Sequence, residues 1–302
     1  MTWNLDAVGQ EVSPVEQSWT SSDSLLYSLG VGAGVQDPFG LELEFTTENS
    51  EGMPQKVLPT FGVAIAFHNS AYALAGSFDP TQSVHGEQSI SLARPIPPEG
   101  RVLTTGRLTG VYDKGSGAVV TTEARSVDAS SGEPMFTTRS SLFVRGGGGF
   151  GGPRGPSAAQ PTIPDGDAEL VLRAEIRRDQ ALLYRLSGDR NPLHSDPAFA
   201  VRAGFDTPIL HGLCTYGFTG RLLLHALCGS EPARFVSMEA RFARAARPGD
   251  ELTVHVWRKA PGEAAFRVNT KPGTVVIDRG HIAYRDTDAD DGAGRRPERE
   301  FR

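Results

Sequence analysis

The chain has 302 residues, of which 38% are apolar and 22% charged, and a formal net charge of -6. That length suffices for one large core or two modest ones. The acidic balance, with no basic run, zinc-ligand spacing or aromatic platform, argues against a nucleic-acid partner. No apolar run of about eighteen residues and no basic, apolar leader is present, so neither a membrane partner nor a secretory address is expected. The sequence ends Glu300-Phe301-Arg302 rather than in a Ser-Lys-Leu address, which makes cytoplasmic residence the expectation.

In chain order, residues 1–20 carry scattered polar residues and Pro14 and read as a lead-in poor in strand. Leu25-Leu26-Tyr27-Ser28-Leu29 then opens a segment that recurs as Leu182-Leu183-Tyr184-Arg185-Leu186. The same offset sets Gly32 opposite Asp189, Gly34 opposite Asn191 and Asp37 opposite His194. Leu58-Pro59-Thr60 opens an apolar run over 61–74, matching Leu210-His211-Gly212 before the run to Leu227. Gly212, Gly217 and Gly220 lie in the second run, where glycine costs a helix about 1 kcal/mol each, so close packing against its backbone is expected, with a curved sheet wrapped around the helix.

Segments rich in Val, Thr and Phe follow each run and read as strands: 88–92, 101–112, 118–127 and 134–144, then 234–243, 251–259, 264–270 and 274–284. Asp113-Lys114-Gly115 and Pro248-Gly249-Asp250 supply turns. Helix precedes strands twice, without βαβ alternation, which gives an α+β class. Between the halves, 146–165 has the Gly/Pro composition of a linker and lacks the Gly-Lys-Ser/Thr ending of a phosphate loop. Domains are therefore expected at 1–145 and 166–285, with a charged, disordered tail over 286–302. Cys214 and Cys228 share one apolar stretch; on a single helix they stand about 21 Å apart, too far for a disulfide, and read as free thiols.

The chemistry gathers between Tyr184 and Gly212. Asp179 is a plausible N-cap for a short helix that Gly188 ends, and Ser195 or Asp196 before Pro197 opens the next one over 197–203. Asp189 and His194 thus flank a tight loop across which both side chains can address one water. A carboxylate beside an imidazole suits general acid–base work, worth roughly 10²- to 10⁴-fold in rate. The alternative at this level is a turn-capping aspartate and a satisfied loop histidine.

The string Tyr184-x-Leu186-Ser187-Gly188-Asp189-x-Asn191-Pro192-Leu193-His194 resembles the signature of (R)-specific enoyl-CoA hydratase, or hydratase 2, in the MaoC-like dehydratase family. Leu25 to Ala33, Val84-His85-Gly86-Glu87-Gln88, Asp113 to Gly117, Ile209 to Cys214 and Ala240 to Ala243 extend the likeness to the two-domain, eukaryotic-type members over about residues 5–285. The resemblance implies a double hot-dog, two repeats each with a central helix wrapped by a curved antiparallel sheet. It implies reversible hydration of trans-2-enoyl-CoA to the (3R)-3-hydroxyacyl thioester, an acyl-CoA substrate, a homodimer, and neither metal nor separate cofactor. Asp189 and His194 would hold the water, Asn191 would brace them, and Gly212 would offer its N–H to the thioester oxygen. His85, Gly86, Lys114 and Phe242 match positions lining the ligand groove. The first repeat would have exchanged its acid–base set for room for the acyl chain, Gly32 and Gly34 marking that space or a plain glycine turn. A dehydratase acting on carrier-protein thioesters and a non-catalytic acyl-CoA-binding subunit are the competing readings.

Overall fold

The computed structural model describes residues 1–40, 42–67, 71–156, 162–271 and 273–286. In the first half, β1 (Thr2–Trp3) and β2 (Val15–Trp19) precede α1 (Ser21–Gly30), α2 (Leu43–Thr46) and α3 (Phe61–Ala66). There follow β3 (Gly76–Ser77), β4 (Ser83–Leu92), β5 (Gly100–Asp113), β6 (Gly117–Asp128) and β7 (Pro134–Arg145). The second half runs β8 (Leu170–Glu175), α4 (Gln180–Tyr184), α5 (Pro197–Arg202), α6 (Gly212–Cys228), β9 (Phe235–Phe242), β10 (Glu251–Ala260), β11 (Glu263–Thr270) and β12 (Thr274–Tyr284).

Ten strands form one antiparallel sheet in the order β2-β5-β6-β7-β4-β9-β12-β11-β10-β8. Cut between β4 and β9, it gives two five-strand halves with the same order read from their outer edges, each with three hairpin-joined strands, β5-β6-β7 or β10-β11-β12, and a central helix, α3 or α6. This is the double hot-dog. The halves meet where Glu87 faces Arg241 and Ser91 faces Ser237, so the duplication is fused by backbone hydrogen bonds as well as side chains. One apolar core runs through both halves, from Ile90 and Phe136 to Met238 and Phe266. Among the described residues no helix is long and apolar enough to cross a membrane.

Three expectations need correction. The lead-in is not poor in strand: β2 pairs with β5 from Val15↔Thr104 to Trp19↔Gly100, and β1 pairs with β3. Its alternation is masked by Glu16, Gln17 and Ser18, yet Trp19 is buried and its indole N–H donates to the Pro97 carbonyl at 2.9 Å. β8 was likewise not expected, an edge strand whose Val171 and Arg173 face outward while Ala174 is buried. Thirdly, the run over 61–74 does not make a long helix. α3 ends at Ala66, a 3-10 turn covers Ala71–Ala75, and 68–70 lie outside the described residues.

The start of the expected linker is packed. Asp113 accepts backbone hydrogen bonds from Gly115, Gly149 and Gly151 at 2.8–2.9 Å, and the Trp3 indole donates to the Gly147 carbonyl at 2.7 Å. Residues 157–161 and the expected tail beyond Asp286 lie outside the described residues.

α6 carries the glycines that predict close packing, but the approach comes chiefly from the first half's helices rather than from the sheet. A Cβ at Gly217 would meet Val31 at 2.4 Å and the Tyr27 hydroxyl at 2.8 Å, and one at Gly220 would meet Thr60 at 2.5 Å. Both cysteines lie on α6 as buried free thiols.

Candidate active site

α4 runs into a 3-10 turn at Arg185–Ser187, and Gly188, at φ 129°, turns the chain out of it. Asp179 stands at the start of α4 without capping it, because Arg177 engages both of its carboxylate oxygens at 2.8–2.9 Å. Short polar side chains then shape the loop. Asp189 Oδ1 accepts from the Asn191 N–H at 3.1 Å, and Asn191 Oδ1 from the Leu193 N–H at 3.0 Å, which starts the 3-10 turn Pro192–His194. Asp196 Oδ1 accepts from the Ala198 and Phe199 N–H groups and caps α5.

These turns fold His194 inward, where it is 8% exposed and its Nδ1–H donates to the Ile209 carbonyl at 2.9 Å. That bond fixes the tautomer and leaves the Nε2 lone pair as the acceptor. Directly beneath, the fully buried His211 donates Nε2–H to the Asp189 carbonyl at 3.1 Å. The two imidazoles stack with centroids 3.7 Å apart and an interplanar angle of 28°. One ligand-type atom from each of Asp189, His194 and His211 lies within 4.8 Å of the others. Burial pushes the His194 pKa down, against the pull of the Ile209 hydrogen bond and the Asp189 charge. Burial, then the proximity of His194, takes His211 down to about 3. Both rings are therefore neutral near pH 7, one offering a lone pair and one tying down the loop. Side-by-side rings do not splay as the ligands of a tetrahedral ion do, so the set suits proton transfer better than metal binding.

Gly212 opens α6 immediately after His211, so its N–H belongs to the unpaired first turn at the positive end of a 17-residue helix. A Cβ there would touch the Phe242 ring at 3.4 Å, so the glycine lets Phe242 lie against the helix start. Phe242 in turn contacts the His85 ring at 4.8 Å between centroids. His85 Nε2–H donates to the Glu87 carbonyl at 3.0 Å, and burial drives its pKa down to about 4. Gly86 sits in a bulge of β4, where a Cβ would press on the Ser141 hydroxyl at 2.8 Å. A continuous line of contacts thus joins the Asp189–His194–His211 cluster, through Gly212 and Phe242, to His85 in the other half.

Asn191 and Lys114 are held by local bonds. Asn191 braces Asp189 through its backbone N–H, while its amide oxygen accepts from the Leu193 N–H in the local turn. Lys114 is not brought to the cluster: its ammonium donates to the Arg154 carbonyl and lies 5.8 Å from the centre of the Tyr112 ring. Sequence reasoning had His211 in view without giving it a role. The available signal was a histidine directly before a glycine that starts a buried helix. Buried Tyr184, whose ring lies 4.9 Å from His211, closes the back of the cluster.

Comparison with known proteins fits this geometry. Residues 18–146 match the MFE-2 hydratase 2 N-terminal domain and residues 160–279 the MaoC like domain. The chain is 44% identical to 3-hydroxyacyl-thioester dehydratase Y of Mycobacterium tuberculosis, over 94% of this chain and 99% of that protein. It is 42% identical to enoyl-CoA hydratase ChsH3 of the same organism, over 92% and 97%. Among solved structures, a MaoC-like dehydratase from Phytophthora capsici superposes with a TM-score of 0.85 at 29% identity, over 95% of this chain and all of that one. The chain belongs to the MaoC-like hydratase 2 family, as a two-domain member with both halves present.

Proposed function

We propose that this protein is an (R)-specific 2-enoyl-CoA hydratase, a hydro-lyase that adds water reversibly to a trans-2-enoyl thioester and gives the (3R)-3-hydroxyacyl thioester. The observation that carries the reading is the pairing of the Asp189 carboxylate with the lone pair of a His194 whose other nitrogen is held by Ile209.

Water sits between Asp189 and His194 Nε2. Asp189 orients it, and Nε2 takes one of its protons while the oxygen attacks C3. Electrons move from the C2–C3 double bond onto the thioester oxygen, where the Gly212 N–H and the start of α6 stabilise the charge. The imidazolium of His194 returns a proton to C2, so the elements of water have added and the enzyme is unchanged. Such an oxyanion donor is worth about 3–4 kcal/mol, of the same order as the acid–base contribution. His211 supports the step by anchoring the Asp189 backbone and by lying neutral against His194. His85, Gly86 and Phe242 shape the opposite wall of the groove.

The test mixes the protein with crotonyl-CoA and follows loss of the conjugated-thioester absorbance, with chiral analysis of the product. Rapid loss with a 3R product supports the reading. A 3S product, or release of free thiol in place of hydration, removes it. The reverse direction, dehydration of a 3-hydroxyacyl thioester, is the same chemistry and matches the name of the relative 44% identical to this chain.

A further inference from the structure

A cavity of about 260 Å³ opens between the two halves beside the catalytic loop. Ser83 and Val84 from β4 and Arg145 from β7 form one side; Asn191, Leu193 and Phe199 form the other. Among the described residues Arg145 is the only charged one that lines it. Its position follows from register. Arg145 lies opposite Gly117 across the β6–β7 ladder, and its neighbour Val144 lies opposite Ser83 across the β4–β7 ladder.

Two other charges near this end of the sheet are committed elsewhere. Asp113 of the β5–β6 hairpin is satisfied by three glycine N–H groups. Lys114 of the same hairpin is tied to the Arg154 carbonyl. Arg145 is exposed, and among the described residues no carboxylate pairs with it.

We propose that Arg145 binds a phosphate of the substrate's pantetheine arm, the cavity receiving the arm on its way to Asp189 and His194. This rests on the thioester hydratase reading. Apolar and amide walls suit the arm, and a planar guanidinium with uncommitted donors suits a phosphate. The phosphate belongs either to coenzyme A or to the phosphopantetheine of a carrier protein, which share this chemistry.

The experiment compares the wild type with Arg145→Ala and Arg145→Lys. Free coenzyme A binding is measured by calorimetry, and KM with crotonyl esters of coenzyme A, 4′-phosphopantetheine and N-acetylcysteamine. Arg145→Ala is expected to weaken coenzyme A binding and raise the crotonyl-CoA KM about tenfold, with kcat within about twofold and Arg145→Lys recovering part of the loss. The N-acetylcysteamine ester, which lacks phosphate, should show no such rise. An equal rise for the phosphopantetheine ester places the contact on the phosphate shared by both carriers and supports the proposal; a rise for coenzyme A alone puts the contact on the nucleotide and overturns it. A matching rise with the N-acetylcysteamine ester, or unchanged coenzyme A binding, overturns the proposal. If coenzyme A binds in an Arg145-dependent way but no enoyl ester is hydrated, the hydratase reading fails while the contact stands.

Discussion

The two halves share a strand order but treat the turn after α1 and α4 in opposite ways. In the second half, residues 188–196 bend Asp189 and His194 toward His211 and the open start of α6. In the first, Gly32 and Gly34 adopt φ 81° and 73°, and a Cβ at Gly32 would fall 2.2 Å from the Phe218 ring. Phe218 comes from α6, so the second half fills the space beside Gly32 in the first. The same stretch is locked by Glu42, which accepts from Arg221 at 2.6 Å, His225 at 2.8 Å and the Gly34 N–H at 2.8 Å. Burial pushes the Glu42 pKa up, but the His225 hydrogen bond and the Arg221 charge outweigh it and leave it near about 2. The room for an acyl chain expected at Gly32 is therefore occupied. A duplicated fold can keep one site by turning the other into a contact between its halves.

The sharpest way to break this contrast is to remove the acid–base pair. Asp189→Asn and His194→Ala should each lower kcat by about 10³-fold or more with the fold retained, because the first half has no set to substitute. Residual turnover above a hundredth of wild type in both would mean that the asymmetry is not catalytic.

Glu42→Ala should destabilise the fold by about 3–5 kcal/mol in denaturant titration, since it strands the buried Arg221. Gly32→Val should cost about 2–4 kcal/mol, combining a strained positive φ with overlap on Phe218. Adding Phe218→Ala to Gly32→Val should recover part of that loss; strict additivity would mean that the two residues do not oppose each other.

pH sharpens the comparison more gently. His211 has a folded pKa near 3, below the ordinary histidine value, so the unfolded chain binds more protons between the two and stability rises with pH there. Its contribution is complete above about pH 6.5 and is lost as pH falls, on the order of 4 kcal/mol by pH 3. Glu42, also depressed, adds a further loss below about pH 4.5. Thermal melts from pH 7 to pH 4 should show this slope, and His211→Asn should flatten it. Acid should also reduce kcat by protonating His194. The smallest effect is expected for Lys114→Ala, a change of less than about threefold in the crotonyl-CoA KM, because its ammonium is held by a backbone carbonyl.

Much of this was legible in the sequence because the informative features are local. The two apolar runs, the hairpin turns and the Asp189-to-His194 string are each written within short windows, and they yield the repeat, the α+β class and the catalytic loop. What escaped depends on partners far away in the chain. The edge strands β2 and β8 show weak alternation because only one neighbour and one face constrain them. The role of His211 emerges only when α6 brings it under a loop 22 residues earlier. Gly32 reads as open space until the Phe218 ring, 186 positions later, is seen to fill it.

The pairing of Glu87 to Ser91 with Ser237 to Arg241 makes one continuous sheet from what began as two copies. Neither half can then melt without exposing an unpaired central strand of the other. Heating should accordingly give a single calorimetric transition, with matching calorimetric and van't Hoff enthalpies, for a chain that carries two family domains in its sequence.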